Sequence, residues 1–273
     1  MPVSRAWERP ISARPLSARG SRGLPGVIGE RKAIDVIWTD KLRKEFGGLV
    51  AVAGLDLRIG RGLLYGLIGP NGSGKTTAIK MLVGLLKPTT GTAKILGEGI
   101  PIRKNIARIG YMPQEMASYA DLTVHENIEL FGQLYSMTTE SLESRETSLL
   151  KMVDLEGRKD SLISQLSGGM KHRVSLASAL IHDPEVVFLD EPTVGVDPEL
   201  RVGFWKYFSD LKAAGKTVVL TTHYMDEAVR CDTVGMMRAG ELIGEGTPKE
   251  LMDAASAPDL ESAFLAFARR AGK

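Results

Sequence analysis

Cysteine is almost missing from this chain. Cys231 is the only one in 273 residues, so no intrachain disulfide can form and a reducing compartment is expected. Its neighbours supply nothing that would activate a thiol, and the position reads as a small buried apolar residue. Long apolar runs are missing too: none approaches the ~18–20 residues of a membrane helix, and the chain is not expected to span a bilayer alone. Nor is there an excess of either charge. Lys and Arg number 35 against 33 Asp and Glu, and a net charge of +2 gives no basis for a nucleic-acid partner. No repeat of solenoid length is present. What remains, 43% hydrophobic and 25% charged residues, is the ordinary composition of a globular domain, long enough to bury a sizeable core.

Residues 1–32 differ from the rest. Arg5, Arg9, Arg14, Arg19, Arg22 and Arg31 stand among Ser, Pro and Gly, a composition that cannot build a core and is expected to be a disordered extension. Targeting peptides share this Arg-rich, acid-poor bias, but Pro2, Pro10, Pro15 and Pro25 oppose the amphipathic helix they require.

From Ala33 the pattern becomes strand-like, in Ile34–Trp38 and then Leu49–Ile59, where Leu55, Leu57 and Ile59 alternate with Asp56 and Arg58. Leu63–Ile68, Val186–Leu189 and Thr217–Thr221 are apolar nearly throughout, as strands buried on both faces should be. Between them Leu122–Tyr135 and Leu142–Val153 carry helical spacing, with Thr123 and Glu126 placed as a capping box. After Pro258, Asp259–Phe267 reads as a short amphipathic helix.

Gly69-Pro70-Asn71-Gly72-Ser73-Gly74-Lys75-Thr76-Thr77 fits GxxxxGK[ST] directly after an expected strand and before an expected helix, Ala78–Leu86. The glycines let backbone amides converge on phosphate oxygens, Lys75 supplies a cation to the β- and γ-phosphates, and Thr76 offers a hydroxyl to magnesium. Asp190 ends a buried strand where a carboxylate can hold the magnesium shell. Glu191 follows, and strand alternation turns it elsewhere, leaving it for the attacking water. Alone, such an acid pair is often a solvated turn; beside the phosphate loop it is a strong signal. His223 arrives at the same sheet edge, either to hydrogen-bond the γ-phosphate or as a simple cap. His125, His172 and His182 lack metal-ligand spacing and read as structural or solvent-facing. Leu166-Ser167-Gly168-Gly169-Met170 opens a helix with the stripe Met170, Val174, Ala177, Ile181, and looks like a second phosphate grip. Two grips for one nucleotide suggest that each copy completes a site on another.

In this order the motifs resemble those of the ATP-binding subunit of an ABC transporter, over about Ala33 to Met252: the phosphate loop, a glutamine loop at Gln114, the signature Leu166–Met170, the Walker B strand Val186–Asp190 with Glu191, a D-loop at Val194-Gly195-Val196-Asp197, and the switch His223. The resemblance implies an α/β fold, a P-loop NTPase (RecA-like) parallel-sheet core. To this it adds an N-terminal antiparallel β subdomain and an α-helical subdomain at about 115–182, between glutamine loop and Walker B. A short C-terminal helix would occupy 253–273. It implies that Phe46 stacks on adenine, that Gln114 touches magnesium and the transport subunit, and that Asp197 communicates between two sites. ATP and Mg2+ would be the cofactors. ATP would lie between Lys75 of one copy and Ser167, Gly168 and Gly169 of another, in a homodimer or heterodimer of cassettes. The partner would be a separately encoded integral membrane subunit, received near Gln114 and Tyr119–Asn127, with the cassette on the cytoplasmic face of the cell membrane.

Met170 stands where many members have Gln, and Val196 where Leu is usual; neither is a phosphate ligand. Met170, Thr222–Ala228 and Leu260–Leu265 are similar to the drug, lipid and polysaccharide exporter branch. Two other readings are a soluble ABC ATPase scaffold, as in cofactor assembly, and a regulator that does not hydrolyse. The presence of both Glu191 and His223 counts against the regulator.

Overall fold

The computed structural model describes residues 35–115 and 118–271, so the expectation for residues 1–32 lies outside the described residues. Strands β1 (Asp35–Phe46), β2 (Leu49–Leu55), β3 (Arg58–Gly60) and β4 (Leu64–Ile68) lead into helix α1 (Lys75–Leu82), followed by β5 (Thr90–Ile95), β6 (Glu98–Gly99) and β7 (Ile109–Met112). Helices α2 (Val124–Leu134), α3 (Thr139–Met152) and α4 (Gly168–Leu180) come next. The chain then alternates through β8 (Val186–Asp190), α5 (Pro198–Ala213), β9 (Thr217–Thr222), α6 (Met225–Ala228) and β10 (Thr233–Arg238). It ends with β11 (Glu241–Gly246), α7 (Pro248–Ala255) and α8 (Leu260–Ala271).

The central sheet has the order β11-β10-β4-β9-β8-β7, and every pair is parallel except β10 with β11. Strands β4, β8 and β9 are buried along their whole length, which accounts for their unbroken apolar text. Side chains of β4 alternate between two cores. Tyr65 and Leu67 face the one shared with α1 and the antiparallel sheet, whereas Leu64 and Ile68 face the one shared with α4, α5 and α8. Because the parallel strands run the same way, the residues that follow β4, β8 and β9 emerge together at one edge.

The second sheet is antiparallel, with β1 paired to β5 on one side and to both β2 and β3 on the other. The alternation over Leu49–Ile59 is therefore two strands rather than one. Thr39 fills the gap between them: its buried hydroxyl donates to the Leu55 carbonyl and accepts from the Leu57 amide, each at 2.7 Å. Both Thr123 bonds of the expected capping box at α2 are present. Thr247 and Glu250 make another, which starts α7 so that the expected boundary at Met252 falls inside that helix. Cys231 is buried against Gly66, and burial beside Asp232 and Glu227 pushes its thiol up to about 12, an inert packing residue as read.

Candidate active site

The phosphate loop joins β4 to α1 through backbone that only glycine adopts easily. Gly74 caps α1 at φ 104°, and a Cβ there would run into the backbone carbonyl of Ala51. No side chain caps this helix, so its first-turn amides remain available to an anion, and the positive end of the helix dipole faces the same way. Lys75 is buried, its ammonium donating to the carbonyls of Gly69 at 2.7 Å and Pro70 at 3.2 Å. Burial lowers its pKa, opposed by Glu191 and Asp190.

Three oxygen-bearing side chains meet beside it. The Thr76 hydroxyl donates to Asp190 Oδ1 at 3.1 Å and lies 3.4 Å from Gln114 Oε1. Thr221, paired with Asp190 across β8 and β9, donates its hydroxyl to the same carboxylate oxygen at 2.5 Å. The other oxygen, Asp190 Oδ2, is buried with no hydrogen-bond partner among the described residues. Burial pushes the Asp190 carboxyl up, and the two threonine hydroxyls partly offset it. Hydroxyl, amide and carboxylate oxygens around one unpartnered buried oxygen form a donor set that fits Mg2+.

Glu191 turns the other way. Its Oε1 lies 3.7 Å from Lys75 Nζ and its Oε2 3.2 Å from His223 Nδ1. The carboxylate is 4% exposed and its backbone takes φ +55°, a left-handed turn that ends the strand and separates the two acids. Phe46 stands at the mouth of a cavity of about 380 Å³, walled by Asn71–Thr77, Gln114 and Glu191. It is 46% exposed, with Lys44 Nζ 4.8 Å from the ring centre, and is not the core residue that its place at the end of a strand alone would suggest.

Residues 52–194 match the ABC transporter family. The chain belongs to that family. It is 42% identical over 216 residues to Nod factor export ATP-binding protein I of Paraburkholderia xenovorans (strain LB400), covering 78% of this chain and 71% of that protein. To the protein of the same name from Rhizobium meliloti it is 44% identical over 251 residues, covering 90% of this chain and 75% of that one. It is also similar to the solved structure of an ATP binding subunit of an ABC transporter, with a TM-score of 0.79 and 26% identity, covering 85% of this chain and 99% of that one. This ABC protein is an ATP-binding subunit with ATPase activity coupled to transport.

Not every motif of this ABC subunit enters the cavity. Ser167 caps α4, accepting the Met170 amide at 3.3 Å, and is exposed beside Gly168. Asp197 is likewise exposed at the start of α5. None of Ser167, Gly168, Gly169 and Asp197 lines the space around the phosphate loop. A second cavity, about 420 Å³, opens between α1, β7, α2 and α4, with Leu85, Ile106, Phe131 and Tyr135 on its apolar walls. Thr76 and Gln114 border both cavities. Behind it, the segments after Gln114 and before Ser167 are bonded backbone to backbone, Ile163 to Leu122 at 2.9 Å and Ser164 to Ala120 at 3.0 Å.

Sequence reading missed Thr221, which braces both acids, and Glu227, buried with Thr193 at 2.7 Å and Arg201 at 3.1 Å. Thr221 is assigned only by the register of two strands, for which a single sequence holds no signal. Glu227 was visible only as part of the run Met225–Ala228. His172 and His182 both lie against backbone carbonyls, in keeping with a structural reading.

Proposed function

We propose that this subunit powers export, working as a head-to-tail pair of cassettes on the cytoplasmic face of a membrane. Two ATP molecules would lie at the shared interface. In each site Gly69–Thr77 holds the phosphates through backbone amides, Lys75 meets the β- and γ-phosphates, and Phe46 stacks on the adenine. Ser167, Gly168 and Gly169 of the other copy close over the γ-phosphate, and Asp197 lies where the two copies meet. The exposure of Ser167, Gly168 and Asp197, with Gly169 half-buried beside them and all four away from their own phosphate loop, supports a role toward another chain. The export relatives support the direction of transport.

The observation that carries the chemistry is Glu191, held between Lys75 and His223 at the rim of the phosphate-loop cavity. Its carboxylate accepts a proton from water as that water attacks the γ-phosphorus in line, and the bond to the bridging β-phosphate oxygen breaks, leaving ADP and phosphate. His223 orients Glu191 and donates toward the γ-phosphate. Thr76, Gln114 and Asp190 would hold Mg2+, which when bound draws charge from the β- and γ-phosphates. Glu191→Gln tests the assignment: it should bind ATP and dimerise without turning over.

The second cavity suits a segment of the membrane subunit. Its apolar walls would take an apolar face, and Gln114 on the shared border would report occupancy to the nucleotide. The backbone ties from Leu122 and Ala120 to Ile163 and Ser164 would pass the same displacement to the signature. Substituting Phe131 with Asp should abolish co-purification of the membrane subunit while leaving ATP binding intact; undiminished co-purification would count against this docking.

A further inference from the structure

Helix α4 touches the catalytic turn of its own chain at two places. His172 is 8% exposed, and its Nε2 lies 3.1 Å from the Glu191 carbonyl. One turn earlier, Gly169 sits so near Gly195 that a Cβ there would come to 2.8 Å of its carbonyl oxygen. The turn they brace has left-handed backbone at Glu191, φ +55°, which disfavours a residue with a side chain and must be held by its surroundings. The Glu191 amide is held by Thr221 Oγ1 at 2.9 Å. Its carbonyl takes the Val194 amide at 3.3 Å and His172 Nε2. Among the described residues, His172 is thus the side chain that fixes this peptide plane from the helical side.

We propose that His172 is a positioning residue for hydrolysis: by donating to the Glu191 carbonyl it holds the strained turn that aims the carboxylate, and it makes that aim depend on helix α4 of the same chain. The proposal rests on Glu191 being the base. Ser167 caps the same helix five residues earlier, a rise of about 7.5 Å. One rigid element therefore carries the group offered to the other copy's ATP and the contact that orients this chain's own base. Closing one site then sets the geometry of the other. Burial lowers the imidazole's pKa, so near pH 7 it is neutral with a single N–H.

The test uses the full chain and a matched pair of substitutions, His172→Gln and His172→Met, similar in length and helix propensity but differing in the donor. Gln should keep turnover within about 3-fold of wild type, and Met should lower kcat by roughly 10-fold or more with ATP affinity unchanged. A purified mixed dimer in which one copy carries Lys75→Ala isolates a single site. There, His172→Met should slow hydrolysis when placed in the copy with intact Lys75 and Glu191, and should have no effect in the Lys75→Ala copy, which supplies Ser167. Equal slowing from either copy, or slowing from the Ser167 donor alone, means that His172 merely supports the helix and overturns the proposal. So does wild-type turnover in His172→Met, or equal loss in Gln and Met. Glu191→Gln run in parallel separates the claims. If it hydrolyses normally, the base and the proposal fall together; if it is inactive while His172→Met is normal, only the positioning role falls.

Discussion

Thr221 donates its hydroxyl to Asp190 Oδ1 at 2.5 Å, and its Oγ1 accepts the amide of Glu191 at 2.9 Å. One hydroxyl on β9 thereby holds the side chain of one acid and the backbone of the next. Thr221→Val keeps the shape and removes both bonds. Asp190 Oδ1 keeps the Thr76 hydroxyl and the Glu191 amide keeps the Thr221 carbonyl at 3.2 Å, so each lost bond costs about 0.5–1.5 kcal/mol, more for the one to the carboxylate. If part of that cost is borne at the transition state, kcat falls roughly 10-fold while the fold is retained; steady-state ATPase assays with circular dichroism check this, and wild-type turnover would show that the bracing is dispensable.

Lys75→Ala removes the only ammonium inside the phosphate-loop cavity among the described residues. Loss of a charge-assisted contact to phosphate should weaken ATP binding by roughly 10- to 100-fold. Nucleotide titration of the purified chain measures it, and unchanged affinity would mean that this loop is not the primary grip.

Sharing of sites predicts complementation. Ser167→Arg and Lys75→Ala proteins should each be nearly inactive alone. Mixed, they form dimers in which intact Lys75 of the first faces intact Ser167 of the second, giving roughly one working site per mixed dimer. An inactive mixture, with mixed dimers demonstrably formed, contradicts the head-to-tail arrangement.

His182 gives a pH dependence to stability. Its ring stacks 3.7 Å from Tyr135, and burial, helped by Arg145 and Lys216 and opposed by the bond from Nε2 to the Ile109 carbonyl and by Asp183, pulls its pKa down to about 4. Between that value and the ordinary ~6.5, the unfolded chain binds a proton that the folded chain does not, so stability rises with pH across this window. The contribution is whole above about 6.5 and is lost as pH falls toward 4. His182→Phe keeps the stacking and removes the titration. Its denaturant midpoint should drop less between pH 7 and pH 5 than that of wild type, and equal drops would refute the assignment.

The legible parts of this molecule were contiguous. Gly69–Thr77 carries its glycines, lysine and threonine in one stretch, and β4, β8 and β9 are buried on both faces, so their apolar runs stand out. Strands β7 and β10 were not read, because Gly110 and Gly235 interrupt short runs that become strands only by pairing with β8 and β4. Helix α5 does carry a local pattern: Pro198 sits in its first turn, and Phe204, Trp205, Phe208 and Leu211 repeat at helical spacing. The contacts of Thr221 with Asp190 and of His172 with Glu191 belong to another level. They depend on strand register and on where α4 lands against the sheet, which no local pattern encodes. Departures from expectation at Leu49–Ile59 have the same origin, since the alternation persists through a break bridged by Thr39 and by the Lys41 amide on Asp56.

Glu191 is where the chemistry of this site converges, and single-turnover ATP hydrolysis by Glu191→Gln is the most direct measurement. The amide keeps the volume and the hydrogen bond near His223 but accepts no proton. The rate should fall at least about 100-fold with ATP binding preserved and an ATP-dependent dimer accumulating. Hydrolysis at the wild-type rate would contradict the account.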